Sequence, residues 1–236
     1  MTLLHGAILF EAMSLMDSKT ITEQWYQNIA LKHGAERAME AGYFEESKPW
    51  NQTYGDVFGL ELLRAPNGIS KVIQFSGAFF PFHEGHRDAI QTAINFLNGP
   101  VMLVLHIDHK EYRHSKGRCD ESVFAQSFAL ANTLKSKHQI EVRTVFEDKM
   151  PDSCSRNFTR LYQELCNVNS QCEIWFLAGG DRASFCLTFL DAGRCLVVGR
   201  DRNMNFSAYS KYQNDRILFL PGNNEISSTE LRNRNG

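Results

Sequence analysis

The run Ser76-Gly77-Ala78-Phe79-Phe80-Pro81-Phe82-His83-Glu84-Gly85-His86 sets two imidazoles three residues apart, behind a turn carrying Gly77 and Pro81. If a helix opens near Glu84, His83 and His86 stand on one side of its first turn. Backbone N–H groups at a helix start attract phosphate. Two ring N–H donors above such a start suit a polyphosphate whose charge builds up in a transition state. Two other readings stay open. A His-x-x-His pair can hold a metal, but no third ligand is evident, and His83-Glu84-Gly85-His86 is one residue shorter than the H-E-x-x-H of zinc proteases. The third reading is a structural pair satisfied inside the fold.

A second constellation lies at the far end, in Ile226-Ser227-Ser228-Thr229-Glu230-Leu231-Arg232. Hydroxyls and amides at a helix start cap it or donate to phosphate. Arg232 shares that face, and a guanidinium grips phosphate bidentately. Ser-Ser-Thr-Glu is equally an ordinary capping sequence. Between the two lies Gly179-Gly180-Asp181. Glycine permits close backbone approach, and a carboxylate accepts from ribose hydroxyls. The alternative is an Asp that caps the next helix. The stretch His106–Arg118 is rich in cations and reads as a solvated loop or a phosphate-binding one. Within it, His106, Asp108 and His109 also form a possible metal-ligand set.

These residues need a scaffold, and the pattern supplies one. Lys71–Phe75 reads as a strand. Glu84–Leu97 reads as a helix with Ala89, Ile90, Ala93, Ile94 and Leu97 on one face, ended by Gly99-Pro100. Val101–Ile107 is an almost continuous apolar run, as in a strand covered on both faces. Asp120 is placed to cap a helix, Ile140–Phe146 reads as a strand, and Ser155 is placed to cap a helix with Phe158, Leu161, Tyr162 and Leu165 as its stripe. Glu173–Ala178, Cys195–Val198 and Arg216–Leu220 read as strands, with a short helix after Asp181. Alternating strands and helices predict an α/β fold with a doubly wound parallel sheet. Ligands in such sheets sit beyond the carboxyl ends of the strands, where the strand order reverses. The candidate residues fall just after predicted strands. Residues 1–70 read differently: Thr20 to Glu46 looks helical, and Pro66-Asn67-Gly68 marks a boundary. They are expected to form an N-terminal, mainly helical extension that packs on the sheet, covers the site or mediates assembly. Residues 71–236 form the expected catalytic domain.

Composition limits the partners. The chain has 236 residues, with Lys+Arg 25 against Asp+Glu 27, a net charge of −2. A nucleic-acid-binding domain is usually strongly basic, so no nucleic-acid partner is expected. The six cysteines show no C-x-x-C and no zinc spacing, which predicts free thiols in a reducing cytoplasm. Met1 to Met16 is apolar but lacks a basic start and a cleavage site, so no signal peptide is expected. No run approaches the roughly 20 apolar residues of a membrane span.

Gly77-x-Phe79-x-Pro81-x-His83-x-Gly85-His86 after the first strand and Ile226 to Arg232 after the last together resemble the H-x-G-H nucleotidylyltransferase superfamily, over about residues 71–236. The second segment is similar to that superfamily's I-S-S-T-x-[IL]-R motif. Gly179-Gly180-Asp181 resembles the G-x-D turn of nicotinamide mononucleotide adenylyltransferases, and Leu196-Val197-Val198-Gly199-Arg200 resembles their VVxR strand. The gaps from His83 to Asp181 and on to Ser227 are long for pantetheine-phosphate adenylyltransferase or the short cytidylyltransferases. The latter usually carry I-S-T-T.

The resemblance implies a Rossmann-like nucleotidylyltransferase fold and transfer of AMP from ATP to nicotinamide or nicotinate mononucleotide, with release of pyrophosphate. It implies catalytic roles for His83, His86, Lys116 and Arg232, with Arg118 the second choice for the loop cation. It implies nucleotide binding by Gly77, Ala78, Phe79, Gly85, Gly179, Asp181, Arg200, Ile226, Ser227, Ser228 and Thr229. The expected partners are ATP and a phosphorylated small-molecule acceptor, with a homo-oligomer possible. Mg²⁺ would accompany ATP, without an evident protein ligand. Phe80 departs from the pattern, since the family usually has Asp or Asn there. So does the chain end at Gly236, where many relatives continue into another helix. Alternatives are a cytidylyltransferase, an FMN adenylyltransferase, or a non-catalytic nucleotide-sensing module on the same fold. A class I aminoacyl-tRNA synthetase is set aside, because the chain lacks a K-M-S-K-S-like segment.

Overall fold

The computed structural model describes residues 53–79, 82–108, 113, 133–146, 158–182, 186, 193–199 and 216–222. Its centre is a six-stranded sheet in the order β3-β2-β1-β4-β5-β6. The strands are β1 (Lys71–Gly77), β2 (Val101–Ile107), β3 (Ile140–Phe146), β4 (Glu173–Gly179), β5 (Arg194–Val198) and β6 (Ile217–Leu220). Every neighbouring pair is parallel. Lys71 lies opposite both Val101 and Glu173, so β1 sits between β2 and β4, where the order reverses. The run VMLVLHI is buried along its whole length, as a strand covered on both faces must be. The edge strands β3 and β6 are only partly buried.

Alternation along the strands sends side chains to two separate cores. Ile73, Phe75, Leu103, Leu105, Trp175 and Leu177 pack on one face with Ile90, Ala93, Ile94 and Leu97 of α3 (Glu84–Leu97). Val72, Met102, Val104, Ile174 and Phe176 pack on the other with Leu161, Tyr162 and Leu165 of α4 (Phe158–Val168). The predicted α3 is correct at both ends, but its stop differs. Asn98, at φ 48° and ψ 56°, takes the left-handed position and donates its N–H to Ile94 O. Asn tolerates that region, so Gly99 is not the cap. Strands β1 and β4 run on to Gly77 and Gly179, past the predicted ends, because the parallel ladder continues.

The second core also contains Tyr54, Leu63 and Ile69. They come from α1 (Tyr54–Phe58), α2 (Leu60–Leu63) and the turn that follows. Thr53 caps α1 reciprocally with Asp56. Gly68, at φ 88°, makes the turn closed by Ile69 N–H to Pro66 O at 3.1 Å, since the third turn residue needs positive φ. Helices this short do not hold alone, and polar ties fix them. Asn169 accepts from Ala65 N at 2.7 Å and donates to Leu63 O at 2.9 Å. Arg143 donates to the Glu61 and Leu62 carbonyls. Glu164 accepts from Gly55 N at 3.2 Å. The described part of the predicted extension, from Thr53, thus packs into the same core as the sheet.

The predicted helices at Thr20 to Glu46 and after Asp120, and the Ser155 cap, lie outside the described residues. The four described cysteines, Cys166, Cys172, Cys186 and Cys195, are free thiols. No described helix is long and apolar enough to cross a membrane.

Candidate active site

The loop that leaves β1 lies at the reversal of strand order. Gly77 O accepts from Asp108 N at 3.1 Å, which extends the β1–β2 ladder by one bond. The left-handed residue of this loop is Phe79, at φ 45°, and not Gly77. Such a conformation costs on the order of 1–3 kcal/mol and persists only where packing holds it. The packing here is aromatic: the Phe79 ring centroid lies 5.0 Å from Phe75, 5.6 Å from Phe82 and 5.1 Å from His86. Phe80 and Pro81 lie outside the described residues.

His83 is the N-cap of α3, at φ −141° and ψ 173°. Its Nδ1 accepts from Gly85 N at 3.0 Å, and His86 Nδ1 accepts from His83 N at 3.2 Å. The two imidazoles therefore cap the helix for each other. Their rings stack at 3.8 Å with planes 27° apart. An Nδ1 that accepts from a peptide N–H carries no proton, so each neutral ring holds its proton on Nε2. His83 is buried, and His86 stands against Phe75 and Phe82 at 5.9 and 5.3 Å. The amides of Gly85, His86 and Arg87 are all engaged within the helix start. The phosphate donors expected from peptide N–H groups are thus largely committed to the helix itself.

Gly77, Ala78, Phe79, His83, Gly85 and His86 are brought together in this one loop. Gly179 comes beside it, because Phe75 pairs with Leu177 and both strands end two residues later. Asp181 follows in a 3-10 turn, Gly180–Arg182, and the short helix predicted after it falls almost wholly outside the described residues. Lys116, Arg118, Arg200, Ile226, Ser227, Ser228, Thr229 and Arg232 lie outside the described residues.

The end of β2 differs from expectation. His106 is buried, with Nδ1 3.1 Å from Ser76 Oγ and Nε2 3.3 Å from Tyr54 Oη. Both ring nitrogens are engaged in the core, which takes His106 out of the possible metal set with Asp108 and His109. Arg113 is 2% exposed and donates Nη1 to Asp108 O at 2.8 Å. The cation-rich loop thus buries a guanidinium beside the end of β2. The motif resemblance points to Lys116 in this loop, and only burial distinguishes Arg113. Among the described residues, no three of His, Cys, Asp and Glu gather as a metal site. Imidazole nitrogens are also poor partners for Mg²⁺, which takes oxygen, so the described residues do not fit that ion by themselves.

No protein-family model and no curated protein matches the chain. Solved structures do. Plasmodium falciparum nicotinic acid mononucleotide adenylyltransferase complexed with NaAD is similar over 70% of this chain and 83% of that one, at 16% identity and a TM-score of 0.50. The same enzyme complexed with APC gives 14% identity, the same coverage and a TM-score of 0.48. The strand order, the reversal between β1 and β4 and the likeness to the NaAD complex give this chain a Rossmann-like α/β fold, the fold of that adenylyltransferase.

Proposed function

We propose that the chain transfers AMP from ATP to nicotinamide or nicotinate mononucleotide. A phosphate oxygen of the acceptor attacks the α-phosphorus in line. The new P–O bond forms as the bond to pyrophosphate breaks, with no covalent enzyme intermediate. The observation that carries this reading is the reciprocal capping of His83 and His86 at the exit of β1. It commits both Nδ1 atoms to the helix start and so sets each ring's proton on Nε2, the atom that would donate to the phosphoryl oxygens as charge develops on them. Positioning supplies the remaining acceleration.

The other roles rest on the motif resemblance. Lys116 and Arg232 neutralise phosphate, Ser227, Ser228 and Thr229 form its cradle, and Asp181 accepts from the acceptor ribose. Mg²⁺ would accompany ATP, held by phosphates and water, and would offset phosphate charge. The acceptor follows from Gly179-Gly180-Asp181 and from the likeness in fold to a nicotinic acid mononucleotide adenylyltransferase.

Pyrophosphate release, measured with ATP and CTP against a panel of phosphorylated acceptors, tests this. Turnover is expected with ATP and a pyridine mononucleotide. Turnover with CTP, or with FMN, replaces the assignment by one of the alternative transferases. Tight ATP binding without pyrophosphate release for any acceptor indicates a sensor. His86→Ala is expected to lower kcat by about 10²–10³ and to lose a helix cap worth about 1 kcal/mol. His86→Asn separates these effects, because it keeps an acceptor near Nδ1 and removes Nε2–H.

A further inference from the structure

We propose that Tyr54 is a positioning residue for the His83–His86 pair, acting through His106 and Ser76 on the end of β1. The proposal rests on the adenylyl-transfer reading above. Tyr54 Oη lies 3.3 Å from His106 Nε2, and His106 Nδ1 lies 3.1 Å from Ser76 Oγ. Gln74 Nε2 donates to the same Ser76 oxygen at 2.9 Å. Tyr54, Gln74 and His106 are all fully buried. Lower on this face, β1 and β2 present Val72, Met102 and Val104. The face turns polar from Gln74, midway along β1, towards the carboxyl ends, where the candidate site lies.

Ser76 is the link between the two faces. Its preceding neighbour, Phe75, points to the opposite face, with its ring 5.9 Å from His86 and 5.0 Å from Phe79. Its following neighbour, Gly77, is fixed through its carbonyl by Asp108 N. A shift of Ser76 therefore moves the ring under His86 and the start of the loop together. Buried hydrogen bonds are directional and costly to leave unmade, so the chain of contacts holds Ser76 in one place.

Tyr54 is itself anchored from α4. Arg160 lies 5.6 Å from the Tyr54 ring centroid and pairs with Glu164 at 3.3 Å, and Glu164 accepts from Gly55 N. The Tyr54 ring meets His106 edge-on at 5.7 Å. The hydroxyl is thus delivered by a segment outside the recognised motifs to the strand end from which the histidines spring.

Tyr54→Phe keeps the ring and removes the hydroxyl. It is expected to lower kcat about ten-fold and to leave KM for ATP within about two-fold, as lost alignment in the transition state does. Ser76→Ala tests the same link without touching the Tyr54 packing and is expected to match it. The double variant is expected to be no worse than the poorer single one, because the two changes cut one chain. A lower thermal midpoint with unchanged kcat in both single variants overturns the proposal and leaves Tyr54 a packing residue. If wild type transfers nothing to any acceptor, the functional reading fails, and ring ¹⁵N spectra still decide the linkage. Shifted His83 and His86 resonances in Tyr54→Phe support it, and unshifted ones overturn it.

Discussion

The two faces of the sheet are closed by different means. On one, the 14-residue α3 lays a continuous apolar stripe over Ile73, Leu103 and Leu105, and aromatic rings fill its open end. On the other, the five-residue α1 and four-residue α2 share the surface with α4 and are held by directed contacts from Asn169, Arg143 and Glu164. Tyr162 belongs to the same scheme: its hydroxyl donates to Ile174 O at 2.9 Å and accepts from Arg194 N at 2.8 Å. A long amphipathic helix docks by area, which is forgiving of small slides. Short pieces lack the area and dock by hydrogen bonds, which fix position. The polar face is therefore the one suited to set geometry at the strand ends.

The largest stability effect is expected from Ile90→Ala on the α3 face. Emptying that fully buried site should cost about 2–5 kcal/mol, read as a lower denaturation midpoint with all amides affected together. Asn169→Ala should come next, at about 2–3 kcal/mol, because it strands partners of a buried amide. Its signature is local: amide exchange at Leu63 and Ala65 should accelerate more than in α3. If exchange instead rises uniformly, the two faces are one cooperative unit and the contrast fails.

The smallest effect concerns Glu164. Burial holds its carboxyl above the ordinary 4.5, against the pull of the Tyr54 and Gly55 amides and Arg160. Between 4.5 and that raised value the folded chain binds more protons than the unfolded one, so stability falls as pH rises through this window. Glu164→Gln should remove that decline, visible in thermal midpoints followed from mildly acidic to neutral pH. Asp56 has the opposite sign. The Thr53 backbone and hydroxyl hold it below 3.8, so its contribution is present above that value and lost in acid. A steeper decline in Glu164→Gln would place the ionised carboxylate among the stabilising contacts.

Legibility in the sequence divides along the same line. Periodicity gave α3 its limits, and an unbroken apolar run gave β2, because burial on regular elements writes itself as a local pattern. The loop after β1 was visible because Gly, Pro and two His fall within a few adjacent residues. Tyr54 was not visible. Its partners are 52 and 109 residues away, at His106 and, through Gly55, at Glu164. Helices of five and four residues are also too short to show a period. Asn98 was missed for another reason: Gly99-Pro100 is the louder stop signal, while the left-handed residue comes one position earlier.

The reciprocal cap of His83 and His86 has a consequence for the choice of side chain. Each ring takes a peptide N–H on one nitrogen and carries its proton on the other, about 2 Å away across a rigid plane. Lysine and arginine have no acceptor and would open the helix start. Asparagine keeps an acceptor near the place of Nδ1 but cannot set a donor at the place of Nε2. Two neutral rings, however, bring direction without charge. A polyanion seated there must find its counter-charge in other side chains, so ionic strength should act on those residues and leave the aim of the histidines unchanged.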